Sequence, residues 1–160
     1  MTDTPADPVF SAAQRYQSCL PPEEFAQLLS VVNQPADSAV RVNLLKNPDP
    51  RQAFSRWSQR YGWQAQPAPF ASNAWQISSA QTPPGQTIEH RFGYYYIQDA
   101  ASILPVSLFS PLPTDGLMLD MAASPGGKTT QLVDSGGDAN LVLANDSSAS
   151  RLQALRVVQI

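Results

Sequence analysis

The sequence is poor in the residues that build metal and redox sites. It holds one cysteine, Cys19, and one histidine, His90. That excludes an internal disulfide framework and a four-cysteine zinc centre, and leaves almost nothing for a mixed His/Cys cluster. No metal is expected. Charge is scarce as well, at 14% of residues against the roughly 25% of ordinary soluble chains. The formal net charge of -3 excludes a protein that coats nucleic acid by bulk positive charge. No apolar run approaches the ~20 residues of a membrane helix. Met1 to Pro8 is polar and acidic, without the basic start and apolar stretch of a secretory signal. A cytoplasmic protein with no membrane partner is expected.

What is present is enough for a core. Apolar residues make up 42% of the chain, which excludes global disorder. Fifteen prolines point to many short elements and long connections. The charge is unevenly placed: residues 1–91 balance, and residues 92–160 carry the whole acidic excess. Between positions 41 and 60, Arg41, Lys46, Arg51, Arg56 and Arg60 face only Asp49. This modest basic patch reads first as a solvated helix face and second as a phosphate-contacting surface.

The first half, 1–91, has the pattern of a small α+β domain. Helices are expected over Ser11–Leu20 and Pro22–Val32, the second opening with proline and with Glu23 and Glu24 at the positive end of the dipole. Val40–Leu45 alternates as a strand. Asp49 and Pro50 start a further helix that Gly62 stops, with Phe54, Trp57 and Tyr61 on one apolar stripe that reads as core rather than as a base-stacking platform. Trp63–Gln66 and Ala74–Ser78 are candidate strands, and 79–86, with Pro83, Pro84 and Gly85, is a connection. His90 falls in the same connecting stretch and reads as exposed.

The second half, 92–160, changes character. Tyr94–Gln98 is strand-like, with one tyrosine of Tyr94, Tyr95 and Tyr96 expected in the core and another free to stack on a base. Asp99 caps a helix over Ala100–Phe109 that Pro105 kinks or shortens. Leu117–Asp120, Lys128–Val133 and Leu141–Asn145 then form strand, helix, strand: a βαβ unit of the α/β class, whose parallel strands need cover on both faces. A last amphipathic helix starts at Ser148. One βαβ unit is short of a doubly wound sheet, so the chain reads as the front part of a larger protein.

The chemically loaded segment runs from Leu119 to Thr130, where a strand's carboxyl end meets a helix amino end. Gly126 and Gly127 permit positive φ and close backbone approach, and the helix start directs free N–H groups outward, toward a carboxylate or phosphate. Asp146 ends the next strand, where a carboxylate can accept from the hydroxyls of an adenosine ribose. The same residues also fit a plain glycine turn with a helix-capping Asp146. A phosphate-binding loop competes, because Gly127-Lys128-Thr129 matches the end of that motif. Its first glycine, however, falls on Ala122, and Pro125 removes an N–H from the cradle.

With Tyr96-Ile97-Gln98-Asp99-Ala100-Ala101-Ser102, Leu119 to Thr130, Ala144-Asn145-Asp146 and Arg151 set beside Arg41-Val42-Asn43, the chain resembles the Nol/Nop/Sun family of RNA cytosine-5 methyltransferases. The resemblance covers most of positions 40–160. It implies an RNA-facing α+β region followed by the start of an incomplete class I, Rossmann-like methyltransferase domain, S-adenosylmethionine as cofactor, and ribosomal or transfer RNA as partner. Ala122, Ala123, Ser124, Pro125, Gly126, Gly127 and Lys128 would wrap the methionine end, and Asp146 would hold the ribose. Ala122 stands where many members carry cysteine and Ser124 where they carry alanine. Both are small. A monomer is expected for the full-length protein.

Cytosine C5 becomes nucleophilic only after a thiolate adds at C6, and the family draws its two working cysteines from strands downstream of the cofactor strands. This chain holds none there, so no catalytic residue is assigned. Cys19 is expected to be a small buried hydrophobe in a leading helix. Two further readings remain: a non-catalytic RNA-binding fragment, and a nucleoside triphosphatase.

Overall fold

A computed structural model describes residues 8–32, 34, 38–109, 111–112, 115–136 and 140–157. Two compact units are present, Met1–Ala36 and Asp37–Ile160. In the first, helix α1 (Pro8–Gln14) begins earlier than its apolar pattern predicts, and α2 is Pro22–Val31. Past Gln14 the backbone tightens, with Arg15, Tyr16 and Gln17 donating to the carbonyls three residues back. That turn-rich stretch carries Cys19, which is exposed rather than buried because the helix face that would have sheltered it ends five residues earlier.

The second unit is built on a four-stranded antiparallel sheet in the order β2-β3-β1-β4. Its strands are β1 (Ser38–Val42), β2 (Trp63–Pro67), β3 (Ala74–Ala80) and β4 (Tyr95–Asp99). Strand β1 stops at Val42 rather than continuing to Leu45. The Asn43 side chain accepts from Leu45 N at 3.0 Å and its carbonyl from Asn47 N at 3.0 Å, closing a local turn. Strand β4, grouped by its sequence pattern with the second half, pairs along its whole length with β1, Val40 opposite Ile97 and Arg41 opposite Tyr96.

Helix α3 (Pro50–Tyr61) covers one face of this sheet. It starts as its sequence requires, with Asp49 accepting from Gln52 N at 2.9 Å, and Gly62 closes it at φ 64. Phe54 and Trp57 enter a core with Val40, Val42, Trp63, Trp75 and Tyr95. Phe54 stacks on Trp75 with centroids 4.2 Å apart, and Trp63 meets Tyr95 edge-on. The stripe is core, as its spacing predicts, and Tyr95 is the inward member of the three tyrosines.

Between β3 and β4 the connection contains a 3₁₀ turn (Pro84–Gln86) and a short helix α4 (Ile88–Arg91). His90 therefore lies on a helix, half-buried, with its ring 5.7 Å from that of Tyr95; burial lowers its pKa. The single helix expected over 100–109 is instead a 3₁₀ turn (Ala100–Ile103) followed by α5 (Leu104–Ser107). Asp99 caps the first, accepting from Ala101 N at 2.8 Å. A second cluster of Ala39, Ala68, Ala74, Ala100 and Ile103 fills the space beside these turns.

The βαβ unit follows as β5 (Gly116–Asp120), α6 (Gly127–Gly136) and β6 (Asn140–Ala144), with β5 and β6 parallel and in register from Gly116 opposite Asn140 to Asp120 opposite Ala144. Helix α7 (Ala149–Val157) comes last. Among the described residues no helix is long and apolar enough to cross a membrane, and no group of three or more His, Cys, Asp or Glu is placed to hold a metal.

Candidate functional site: the turn between β5 and α6

The turn from Met121 to Gly126 is held from below by Asp120, the last residue of β5. Its carboxylate is buried, accepting from Ala122 N at 3.1 Å and from the Thr129 hydroxyl at 2.6 Å. Asn145 N donates to Asp120 O, and Ala123 N to Asn145 O, so the turn extends the pairing of the two parallel strands. The Ser124–Pro125 peptide is cis, and Gly126 sits at φ 122, a conformation closed to side-chain-bearing residues. Helix α6 then starts with Thr130 N donating to Gly126 O, while the N–H groups of Gly127, Lys128 and Thr129 have no backbone acceptor among the described residues. These are the outward donors that an anionic group can use.

Of the two glycines, only Gly126 has positive φ. Gly127 is crowded for a different reason: a Cβ there would stand 3.0 Å from Gln98 Oε1 and 3.5 Å from Tyr96 Cε1. The amino end of α6 thus rests directly on β4. Beside it, both amide atoms of Gln98 are buried without a partner.

Asp146 is placed at the carboxyl end of β6 as its spacing predicts, with its side chain 2% exposed. Its two oxygens accept from Ser148 N at 3.0 Å and Ser124 N at 3.1 Å, and Arg151 lies 3.7 Å away. Those N–H bonds and that guanidinium hold its carboxyl below the usual range, the bond from Ser148 contributing most and burial opposing it. Arg151 also donates to Ser124 O at 2.8 Å, and the Ser124 hydroxyl returns a bond to Arg151 O at 2.7 Å. Asp146 therefore closes the turn against α7. Each carboxylate oxygen retains a lone pair for a second donor.

Lys128, half-buried, makes no hydrogen bond or ion pair among the described residues. The Thr129 hydroxyl, which a phosphate-binding loop would turn toward magnesium, is committed to Asp120.

Three features escaped the sequence reading. Asp120 and Thr129 organise the turn. Arg151 ties it to α7. Arg41, counted with the exposed basic patch, is 1% exposed on β1 and forms a buried ion pair with Asp134 of α6. It also donates to the Thr130 hydroxyl at 2.6 Å and to Gly127 O at 3.3 Å. Strand alternation explains the burial: Val40 and Val42 face α3, so Arg41 faces the opposite side, where α6 packs.

A cleft of about 1190 Å³ lies elsewhere, between α3 and the β2–β3 hairpin. Its lining contains no carboxylate, histidine or lysine, so it offers no acid–base chemistry.

Comparison with known proteins agrees with this geometry. Residues 11–100 match the family model of the N-terminal domain of 16S rRNA methyltransferase RsmF, and residues 107–159 that of 16S rRNA methyltransferase RsmB/F. The chain is 38% identical over 143 residues to ribosomal RNA small subunit methyltransferase F of Pectobacterium atrosepticum, covering 86% of this chain and 28% of that protein. It is also 38% identical over 134 residues to the same-named protein of Klebsiella pneumoniae, covering 81% of this chain and 28% of that one. The chain thus spans little more than a quarter of these relatives. Among solved structures, a methyltransferase homolog from Pyrococcus horikoshii superposes with TM-score 0.78 at 26% identity, over 93% of this chain and 47% of that one. NSun6 from Pyrococcus horikoshii, solved with SFG, superposes with TM-score 0.73 at 15% identity, over 90% of this chain and 60% of that one, which shows shared fold. With the RsmF model matching more than half of its residues, on an α/β fold carrying the glycine turn at the strand end, the chain belongs to the Nol/Nop/Sun family of RNA methyltransferases.

Proposed function

We propose that the protein to which these residues belong methylates C5 of cytosine in ribosomal RNA with S-adenosylmethionine, and that this chain supplies its RNA-facing α+β region and the first cofactor-binding turn. The observation that carries the reading is the turn itself: free N–H groups of Gly127, Lys128 and Thr129 beside the orphaned Gln98 amide, at the end of β5. The cofactor supplies an activated methyl group. Ala122 to Lys128 would hold its methionine end, with the α6 N–H groups on the carboxylate and the Lys128 ammonium to balance its charge. Asp146, kept ionised by Ser148 N, Ser124 N and Arg151, would accept from the ribose hydroxyls through its remaining lone pairs. Cys19, exposed in the first unit, is given no part in the chemistry.

The test is calorimetric titration of the full-length protein with S-adenosylmethionine. Asp146→Asn keeps the size of the side chain and removes its charge, and should weaken binding about ten- to a hundredfold, the range for hydrogen bonds to a charged group. Lys128→Met should weaken it less. Unaltered affinity in both variants, with unaltered melting, refutes the site.

A further inference from the structure

A second binding feature lies on the same unit, away from the glycine turn. Phe92 is 58% exposed and Tyr94 39% exposed, at the end of α4 and the start of β4. They line a cleft of about 360 Å³ together with Arg56 and Arg60 of α3 and the buried Trp57 and Asn47. That volume is at the size of a small-ligand site. The cleft's one carboxylate, Glu89, is already engaged by the Tyr61 hydroxyl at 2.6 Å and by Arg60 at 3.5 Å. Arg56 has no partner among the described residues, and Lys46, bonded to Phe92 O, adds a further positive charge at the margin. Asn47 spends its Nδ2 on Asn43 O and Tyr94 O, leaving its Oδ1 without a donor among the described residues.

We propose that this cleft takes one unpaired nucleotide of a single-stranded RNA, its base against Phe92 and Tyr94 and its phosphates on Arg56 and Arg60. The proposal rests on the RNA-facing reading above and gives it a place. An occupant has to be flat and apolar on one side and anionic on the other. Exposed aromatic faces recognise bases of any sequence, and guanidiniums recognise the phosphates on either side. The Asn47 Oδ1 acceptor is suited to an N–H on the edge of the base. A duplex does not fit, because its bases are stacked and its edges alone are presented.

Fluorescence anisotropy of the 160-residue chain with a labelled twelve-nucleotide oligouridine, read across a salt series, tests it. Phe92→Ala with Tyr94→Ala should weaken binding at least tenfold at every salt concentration and leave the salt slope unchanged. Arg56→Gln with Arg60→Gln should flatten the slope by about 1.4, the value for two single-strand phosphates. Binding of a blunt duplex should not respond to the aromatic pair. These side chains are exposed, so far-ultraviolet circular dichroism should be unaltered in each variant. If the aromatic pair leaves the oligouridine affinity as it was while basic substitutions still lower it, the cleft proposal is overturned and the RNA-facing reading stands. If the unaltered chain binds no oligonucleotide at any salt, both fall.

Discussion

Replacing Arg41 by methionine should be the most damaging single substitution outside the aromatic core, and its cost should depend on pH in a calculable way. The guanidinium is 1% exposed and the Asp134 side chain 3% exposed. Burial pulls the pKa of Arg41 down and pushes that of Asp134 up, each against the attraction of the other. Removing Arg41 leaves a carboxylate in a dry interior, which ordinarily costs about 3–5 kcal/mol. The carboxylate can escape by taking a proton. From the ordinary aspartate value of 3.8, protonation costs about 4.4 kcal/mol at pH 7 and about 1.6 kcal/mol at pH 5. The penalty for Arg41→Met should therefore be capped near 4 kcal/mol at pH 7 and shrink by roughly 2–3 kcal/mol at pH 5. The sign follows from linkage: with the folded pKa above the unfolded one, the native state binds the extra proton, and stability rises as pH falls toward 4. Arg41→Met with Asp134→Leu should recover most of the loss, since a hydrophobic pair of similar volume replaces a buried ion pair at little net cost. Urea unfolding followed by tryptophan fluorescence is the assay. All three tryptophans, Trp57, Trp63 and Trp75, lie in the second unit, so the signal reports that unit. A loss under 1 kcal/mol at pH 7, or an equal loss at pH 5, would refute the reasoning.

Tyr95, 2% exposed, has its hydroxyl bonded to Pro84 O and to the Thr87 hydroxyl, and burial pushes its pKa up to about 12. Its folded value is raised, so the stability it contributes is intact below pH 10 and lost as pH climbs toward 12; discounted for partial screening, about 1 kcal/mol of alkaline loss should disappear in Tyr95→Phe, as measured by urea midpoints at pH 9 and 11. Asp49→Ala removes the bond to Gln52 N at the start of α3 and should cost about 1 kcal/mol, seen as a lower urea midpoint with an unchanged slope.

The second unit's helix starts and glycine turn were legible because each is a local rule. Asp49-Pro50 and Gly62 delimit α3 through capping and a left-handed residue, which involve only neighbours. The strand–turn–helix around Gly126 is equally local. What stayed hidden depends on partners far along the chain. Arg41 sits in a sequence window of five basic residues to one acidic residue, and nothing in that window shows that Asp134, 93 residues on, will bury it. Alternation along β1 carried the clue, since a strand with Val40 and Val42 on one face commits Arg41 to the other. Asp146 shows the converse limit. Its place at the strand end and its capping of the helix that follows were legible, but its bond to Ser124 was not, because the turn folds back on it only in three dimensions. Cys19 was misjudged since burial was inferred from residue type while the helix beneath it stops at Gln14.

Where α6 begins is set from outside the βαβ unit as much as from within it. Its first residue, Gly127, lies against Gln98 and Tyr96 of β4, and its carbonyl receives Arg41 of β1. One turn later Thr130 and Asp134 receive the same guanidinium, and Gln131 donates to Ile103 O at 3.1 Å. These partners come from residues 41–107, within the stretch that matches the RsmF N-terminal model apart from Ile103 and Ser107 just beyond it. The N–H groups offered at the turn are thus aimed by the antiparallel sheet. A helix amino terminus binds an anion only where its donors converge on one point, and that convergence is lost with a small rotation of the helix. The antiparallel sheet and the glycine turn therefore form one structural unit, with the buried Arg41 as the fixed point between them. A segment cut after Ile103 would keep the glycine motif whole in sequence while leaving Asp134 buried without its cation and α6 without the surface that orients it.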